Sequence, residues 1–282
     1  LLFPKNLGKR LSIDETSLSN GELYTVLTNK AGKGKKGSIV AMIAGTKADT
    51  VISIIEKIPL KQRNQVTEIT LDMAANMGLI AKKCFPNAVQ VTDRFHVQKL
   101  ALEALQEIRI KYRWQAMDQE NEAIEKAKKS NKKFEAQVLT NGDTHKQLLA
   151  RSRYFLYKNK SKWSKKQIER AEILFELYPD IQKGYDLAQD LRNIFEKTTD
   201  KIIGLSRLAK WHEKVNQSGF KSFNTISRSI ENHYQTILNY FNNRSTNASA
   251  ESFNAKIKAF RSQFRGVRNV AFFLFRLTNI YA

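Results

Sequence analysis

Three carboxylates stand at points of the sequence where a metal-dependent site could form. Asp14 lies in a short strand pattern, on the face opposite the apolar residues of that strand. Asp72 directly follows another strand pattern, and Glu251 is the single acid in residues 246–282. Clustered carboxylates repel one another unless a cation lies between them, and hard oxygen ligands select Mg²⁺ or Mn²⁺. Because two such ions about 3.5–4 Å apart assist phosphoryl transfer, the pattern indicates that chemistry.

Each of these acids also has a purely structural interpretation. An Asp at the end of a strand often caps the following helix, and Asp72 could do only that. Asp14 alone carries little information. The combination of all three, in this order and in a strongly basic chain, favours the catalytic interpretation.

Five strand patterns predict the sheet that would bring the first two carboxylates together. They span residues 10–15, 23–28, 38–44, 66–71 and 88–92. Short loops join the first three as an antiparallel meander, whereas helices join the later ones as right-handed parallel crossovers. The expected fold class is therefore α/β, with a mixed five-stranded sheet in the order 3-2-1-4-5. Strands one and four are then neighbours about 4.8 Å apart, so Asp14 and Asp72 can share an ion.

A long helical stretch separates this sheet from Glu251. Apolar residues recur at helical spacing from about residue 99 to 245, without strand patterns. The last segment is again helical, with one apolar stripe formed by Phe253, Ile257, Phe260 and Phe264. We expect residues 1–98 to form the first part of a core, 99–245 a large all-α insertion, and 246–282 the last part of the core, carrying Glu251.

The charge balance indicates a polyanionic partner. The chain of 282 residues carries 48 Lys and Arg against 27 Asp and Glu, a net charge of +21. Such a surplus favours nucleic acid, because basic side chains neutralise phosphates and release counterions. The alternative is a basic protein of ribosomal type, or one that is merely soluble.

The remaining composition narrows the protein class. A single cysteine, Cys84, excludes an internal disulfide and a multi-cysteine zinc site. The sequence shows neither a run of roughly 20 apolar residues nor a signal segment, so we expect a cytoplasmic location. Because the chain starts at Leu1 rather than Met, we also expect it to be a fragment.

Several motifs together resemble one enzyme family. Three of them are Ile13-Asp14-Glu15, Leu71-Asp72-Met73 and Asp93-Arg94-Phe95-His96-Val97. The most specific runs from Asn247 to Lys258 and has the form N-x-x-x-E-x-x-N-x-K-I-K. This set is similar to the ISL3-type insertion-sequence transposases, a group of DDE transposases with an RNase H-like catalytic domain.

The resemblance implies a function and a site. Asp14, Asp72 and Glu251 would be the catalytic, metal-binding carboxylates, holding two Mg²⁺ or Mn²⁺ ions for cleavage and transfer of DNA strands. The implied partners are double-stranded DNA, as transposon ends and target, and a second copy of the chain on that DNA, in the bacterial nucleoid. Ser252 stands where the family often has Gly. The family's usual N-terminal zinc-binding and helix-turn-helix region has no counterpart in this sequence.

Other residues are candidates for supporting roles. Asp93 is the alternative second aspartate, but it ends strand five, one strand further from Asp14, so Asp72 is preferred. Asp93 and His96 are expected to support the site through hydrogen bonds or a DNA contact, although a lone His is often structural. Candidates for contacts to DNA phosphates are Lys258, Arg265 and Lys35.

Two alternative functions stay open. An RNase H-like nuclease or junction resolvase would hydrolyse DNA without joining strands. A non-catalytic DNA-binding remnant of a transposase would do neither.

Overall fold

A computed structural model describes residues 1–17, 22–263 and 269–282, except for the side chain of Ser249. Its five strands form one mixed sheet in the order β3-β2-β1-β4-β5. The strands are β1 (Arg10–Ser17), β2 (Leu23–Asn29), β3 (Ile39–Ala44), β4 (Glu68–Leu71) and β5 (Val89–Thr92). The first three pair antiparallel, and β4 pairs parallel with both β1 and β5. The predicted α/β class, strand order and RNase H-like sheet are confirmed.

Helices cover both faces of this sheet. Those that follow β3 and β4 are α1 (Ala48–Ile55), α2 (Leu60–Arg63) and α3 (Ala75–Cys84). Those near the end of the chain are α10 (Tyr234–Leu238), α11 (Tyr240–Asn243), α12 (Ala248–Gln263) and α13 (Val270–Tyr281). Short 3₁₀ turns occupy Pro4–Asn6 and Lys30–Gly32.

Alternation along β1 assigns its side chains to two different cores. Leu11 and Ile13 are fully buried in a cluster that also holds residues of α1 and α3. The opposite face carries a second cluster, in which Val26 of β2 packs with residues of α12 and α13. Because side chains alternate along a strand, Asp14 lies on the α12 face, where its neighbour across the strand pair is Val26.

The middle of the chain is helical throughout its regular structure. It contains α4 (Arg94–Lys129), α5 (His145–Leu156), α6 (Lys165–Leu177), α7 (Pro179–Lys197), α8 (Lys201–Ser218) and α9 (Lys221–Asn232), with one 3₁₀ turn at Lys160–Lys162. Residues 97–232, all of which the structure describes, contain no strand, as expected for the all-α insertion.

The chain separates into two compact units. One comprises residues 1–96 and 233–282, here called the sheet unit, and the other comprises residues 97–232, here called the helical unit. The predicted domain boundaries at 98/99 and 245/246 stay predictions. No helix within the described ranges is both long enough and apolar enough to cross a membrane.

Candidate active site

Helix α12 lies on the sheet through its apolar stripe. Phe253 and Ile257 are buried together with Val26 and other residues of β2 and β3. Phe260 packs at the margin of this cluster, whereas Phe264 lies outside the described residues. Anchoring the helix by these residues leaves Glu251, two positions before Phe253, half-buried at the sheet surface.

Glu251 lies beside two residues that follow β5. The potential ligand atoms of Asp93, His96 and Glu251 all lie within 4.8 Å of one another. Asp93 is 1% exposed, and its Oδ1 accepts a hydrogen bond from the Phe95 amide at 3.3 Å. This trio is here called the acid–histidine cluster.

Two oxygens of the cluster have no hydrogen bond among the described residues. Oδ2 of Asp93 and Oε1 of Glu251 are both buried, and neither has a hydrogen-bond partner within the part of the chain that the structure describes. A buried carboxylate oxygen without a hydrogen-bond donor lowers the stability of the folded state. A cation between the two side chains would remove this cost, so the donor set fits a metal ion.

Asp14 lies close enough to share the electrostatic field of the cluster. Burial raises the pKa of Asp14, and the charges of Asp72 and Asp93 add to the increase. The amide of Asn254 on α12 donates to Oδ2 of Asp14 at 2.7 Å, while the Glu15 amide donates to Oδ1 at 2.9 Å. Asn254 therefore ties α12 directly to Asp14, the first predicted carboxylate.

The pKa values of the two cluster carboxyls move in the same direction. Burial raises the pKa of Glu251, and the charges of Asp93 and Asp14 contribute to the rise. Burial also raises the pKa of Asp93. His96 opposes the increase at all three carboxyls because its positive form favours their ionisation. Three carboxyls that resist ionisation together are typical of a site built around a cation.

Asp72 lies at the edge of this arrangement. It follows β4 directly and is partly exposed, and its Oδ1 accepts a hydrogen bond from the Ala74 amide at 2.9 Å just before α3. Its charge acts on Asp14, but it does not belong to the acid–histidine cluster. The structure thus places Asp72 beside the first carboxylate and Asp93 beside the third.

The structure describes two of the three candidate DNA-contacting residues. Lys258 on α12 and Lys35 in the β2–β3 loop are both exposed. Arg265 lies outside the described residues. Lys256 of the same motif donates to the Gly34 carbonyl at 2.9 Å, so it fastens the loop to α12. Gly34 has a φ of +70°, a backbone conformation that favours glycine.

Sequence reasoning missed a buried ion pair on the α12 face of the sheet. Nζ of Lys30 lies 3.2 Å from Oε1 of Glu68, and also contacts Thr70. Ser245 and Asn243 donate to the same carboxylate at 2.6 and 3.2 Å. Burial by itself would raise the pKa of Glu68, but these hydrogen bonds and the Lys30 charge outweigh it and lower the pKa.

This pair fastens the segment that leads into α12. Asn247 continues the attachment, because its Nδ2 donates to the Ile13 carbonyl at 3.5 Å. Asn247 and Asn254 both belong to the N-x-x-x-E-x-x-N motif, and this motif is the feature of the sequence that could have indicated their roles. Glu68 had none, since it stands inside an ordinary strand pattern.

Most of this chain is similar in sequence to known transposases. The profile of a transposase family, the ISL3 group of DDE transposases, matches residues 11–277. The transposase of insertion sequence IS1001 from Bordetella parapertussis is 21% identical over 271 residues, which cover 95% of this chain and 59% of that protein. The transposase of IS1557 from Mycobacterium tuberculosis is 22% identical over 255 residues, covering 89% and 55%. The chain thus spans less than two thirds of the length of these curated relatives.

Proposed function

Because the chain belongs to the ISL3 family of DDE transposases, we propose that it catalyses metal-dependent cleavage and transfer of DNA strands during the movement of an insertion sequence. The observation that carries this proposal is that Glu251 of α12 lies beside Asp93 at the end of β5, within reach of the charge of Asp14 on β1. Among the described residues, one buried oxygen of Asp93 and one of Glu251 have no hydrogen-bond donor. The proposed substrates are double-stranded transposon ends and target DNA. Because the reaction joins two ends, the proposed assembly on DNA is a homodimer.

The proposed ligands for two Mg²⁺ or Mn²⁺ ions are Asp14, Asp72 and Glu251, with Asp93 and His96 beside them. Carboxylate oxygens suit both ions, and the neighbouring imidazole suits Mn²⁺ better than Mg²⁺. When bound, such ions activate the attacking oxygen and stabilise the leaving oxygen of a phosphodiester.

The residues of the chain have separate tasks in this proposal. The α12 stripe holds Glu251 against the sheet, and Asn254 orients Asp14 through its 2.7 Å hydrogen bond. Lys258 and Lys35 are exposed and can contact the phosphates that flank the scissile bond. His96 can donate a hydrogen bond to a phosphate oxygen from its position beside Glu251.

Two DNA assays test the proposal. The chain is incubated with supercoiled plasmid and MgCl₂ or MnCl₂, and nicking is measured with and without a chelator. A labelled duplex with free 3′ ends is then added, and its covalent joining to the plasmid is measured. Joining supports a transposase. Nicking without joining would instead indicate a nuclease or resolvase, and DNA binding without nicking would indicate a non-catalytic remnant.

Binding to duplex DNA is expected to weaken steeply with salt, and Lys258→Glu is expected to weaken it further for every sequence tested. Each phosphate contact that is lost makes the negative slope of log K against log salt shallower by about 0.9. The control is Lys83→Glu, because Lys83 is also an exposed lysine but lies on α3, which packs on the opposite face of the sheet. Equal losses in both variants would show that only net charge matters.

Divalent cations are expected to stabilise the protein against heat, and more at pH 7.5 than at pH 5. Burial raises the pKa of Asp14, Asp93 and Glu251. Because the folded state holds these protons more tightly than the unfolded chain, protonation of the three carboxyls stabilises the fold. This stabilisation is complete below the ordinary carboxyl pKa values. The contribution is then lost as the pH rises through the raised values. A bound cation offsets this loss of stability at high pH, whereas at low pH protons compete with the cation for the carboxylates.

The measurement is the melting temperature with and without MgCl₂ or MnCl₂ at the two pH values. A cation at 100 times its Kd adds about 2.7 kcal/mol to the free energy of unfolding. Glu251→Gln should reduce the gain, since it removes one ligand. A gain of the same size in this variant, or the same gain at both pH values, would contradict a carboxylate site.

A further inference from the structure

The helical unit contains a basic groove far along the sequence from the proposed catalytic residues. It lies between α7 and α8 and has a volume of about 350 Å³. Lys197 of α7 and Arg207, Lys210 and Lys214 of α8 line it, with Asp190 as the one acid among its lining residues. These residues are here called the α7–α8 groove.

The two helices form a firm base for this groove. Trp211 is 2% exposed at its floor, and its indole N–H donates to the Leu187 carbonyl of α7 at 2.8 Å. Only residues 198–200 separate the helices, and Asp200 caps α8 by accepting the amides of Ile202 and Ile203 at 2.8 and 2.9 Å. The groove is therefore defined by packed helices rather than by a loop.

Most of its positive charge is not neutralised. Asp190 lies 2.7 Å from Lys214, and this exposed pair accounts for one cation. No carboxylate of the described residues forms a salt bridge with Lys197, Arg207 or Lys210. All three are exposed at the rim, so the groove presents uncompensated positive charge to solvent.

Arg207 is oriented before any ligand binds. Its Nη1 donates to Oγ1 of Thr198 at 2.8 Å and to the Lys197 carbonyl at 3.3 Å. A guanidinium has five donors in a planar fork. Within the described ranges, no hydrogen bond is formed by Nη2 or Nε of Arg207, so both can donate to a further acceptor. A fixed fork of this kind suits the two oxygens of a phosphate group.

The spacing of the cations matches a chain of phosphates better than a single anion. Arg207, Lys210 and Lys214 follow at i, i+3 and i+7, which places them on one face of α8. Seven residues of helix extend about 10 Å, and successive phosphates of one DNA strand advance about 3.4 Å along the helix axis. The row therefore spans about three phosphates.

We propose that the α7–α8 groove binds the sugar-phosphate backbone of duplex DNA, as a sequence-independent site in the helical unit. The choice of DNA over another polyanion rests on the proposed transposase function. Phosphate contacts of this kind hold a protein in place on DNA without reading its bases. The groove would add affinity and would leave the chemistry to the sheet unit.

The test compares two double variants of the full chain in DNA binding without divalent ions, so that cleavage plays no part. Arg207→Ala with Lys210→Ala removes two groove cations. Lys165→Ala with Lys166→Ala removes two exposed cations of the same unit, at the start of α6. The groove variant should lose about tenfold or more in affinity at 0.1 M salt, and its salt slope should fall by about two. The control should lose much less, and both should melt at the temperature of the wild type.

A footprinting measurement gives a second readout that does not depend on a variant. Lysine acetylation is followed by mass spectrometry with and without duplex DNA. Lys197 and Lys210 should be protected by DNA, whereas Lys165 and Lys166 should stay reactive. Equal affinity losses in both variants, or protection by inorganic phosphate or an acidic peptide but not by DNA, would overturn the proposal. Because binding is measured without metal, a chain that fails to cleave can still pass this test.

Discussion

Glu251→Gln is expected to abolish strand cleavage while leaving DNA binding intact or slightly stronger. The Glu251 carboxylate lies within 4.8 Å of ligand atoms of Asp93 and His96. The substitution removes no basic side chain that could contact DNA. Gln keeps the shape of the side chain but removes a metal ligand and a negative charge near the phosphate. We expect a loss of roughly 10³-fold or more in the cleavage rate, about 4 kcal/mol in activation free energy.

The measurement is plasmid nicking at saturating DNA, together with the Kd for duplex DNA. Glu56→Gln is the matched control, because Glu56 is an exposed acid at the end of α1, a helix that packs on the other face of the sheet. Asp14→Asn should behave like Glu251→Gln, since Asp14 is half-buried and lies in the field of the same charges. Nicking by Glu251→Gln within about tenfold of the wild-type rate would contradict the proposed role.

Asp93→Asn is expected to cost at least roughly 100-fold in cleavage, about 2.7 kcal/mol, which is more than the sequence by itself suggested. Its carboxylate is 1% exposed, has an oxygen without a donor among the described residues, and lies beside Glu251. Asp72→Asn is expected to abolish cleavage, as proposed for a direct metal ligand. Both variants should fold, because Asn retains the Oδ1 acceptor that bonds the Ala74 or Phe95 amide.

Comparing the two variants identifies the second aspartate. Nicking rates are measured at several Mg²⁺ and Mn²⁺ concentrations, because a weakened metal site is partly rescued by more metal. A near wild-type rate for Asp72→Asn with no activity for Asp93→Asn would transfer the ligand role to Asp93. A near wild-type rate for Asp93→Asn would show that the acid–histidine cluster is not part of the reaction centre.

Local patterns were sufficient for much of the fold. Alternation placed Leu11 and Ile13 in one core and Asp14 on the other face, because the two faces of a strand are set by the pleat itself. Loop length and helix crossovers determined the order 3-2-1-4-5, since chain connectivity leaves few other arrangements. The apolar stripe of α12 likewise predicted the burial of Phe253 and Ile257.

The tertiary structure decided what the carboxylates meet. Asp93 and Glu251 are 158 positions apart, and no local preference encodes the 4.8 Å limit between their ligand atoms and those of His96. The hydrogen bond from Asn254 to Asp14, the Lys30–Glu68 pair and the α7–α8 groove also depend on elements that come together only when helices pack. Sequence periodicity specifies which face of an element is buried. Which polar side chains then face one another depends on the docking of whole elements, because that sets positions to within the length of a hydrogen bond.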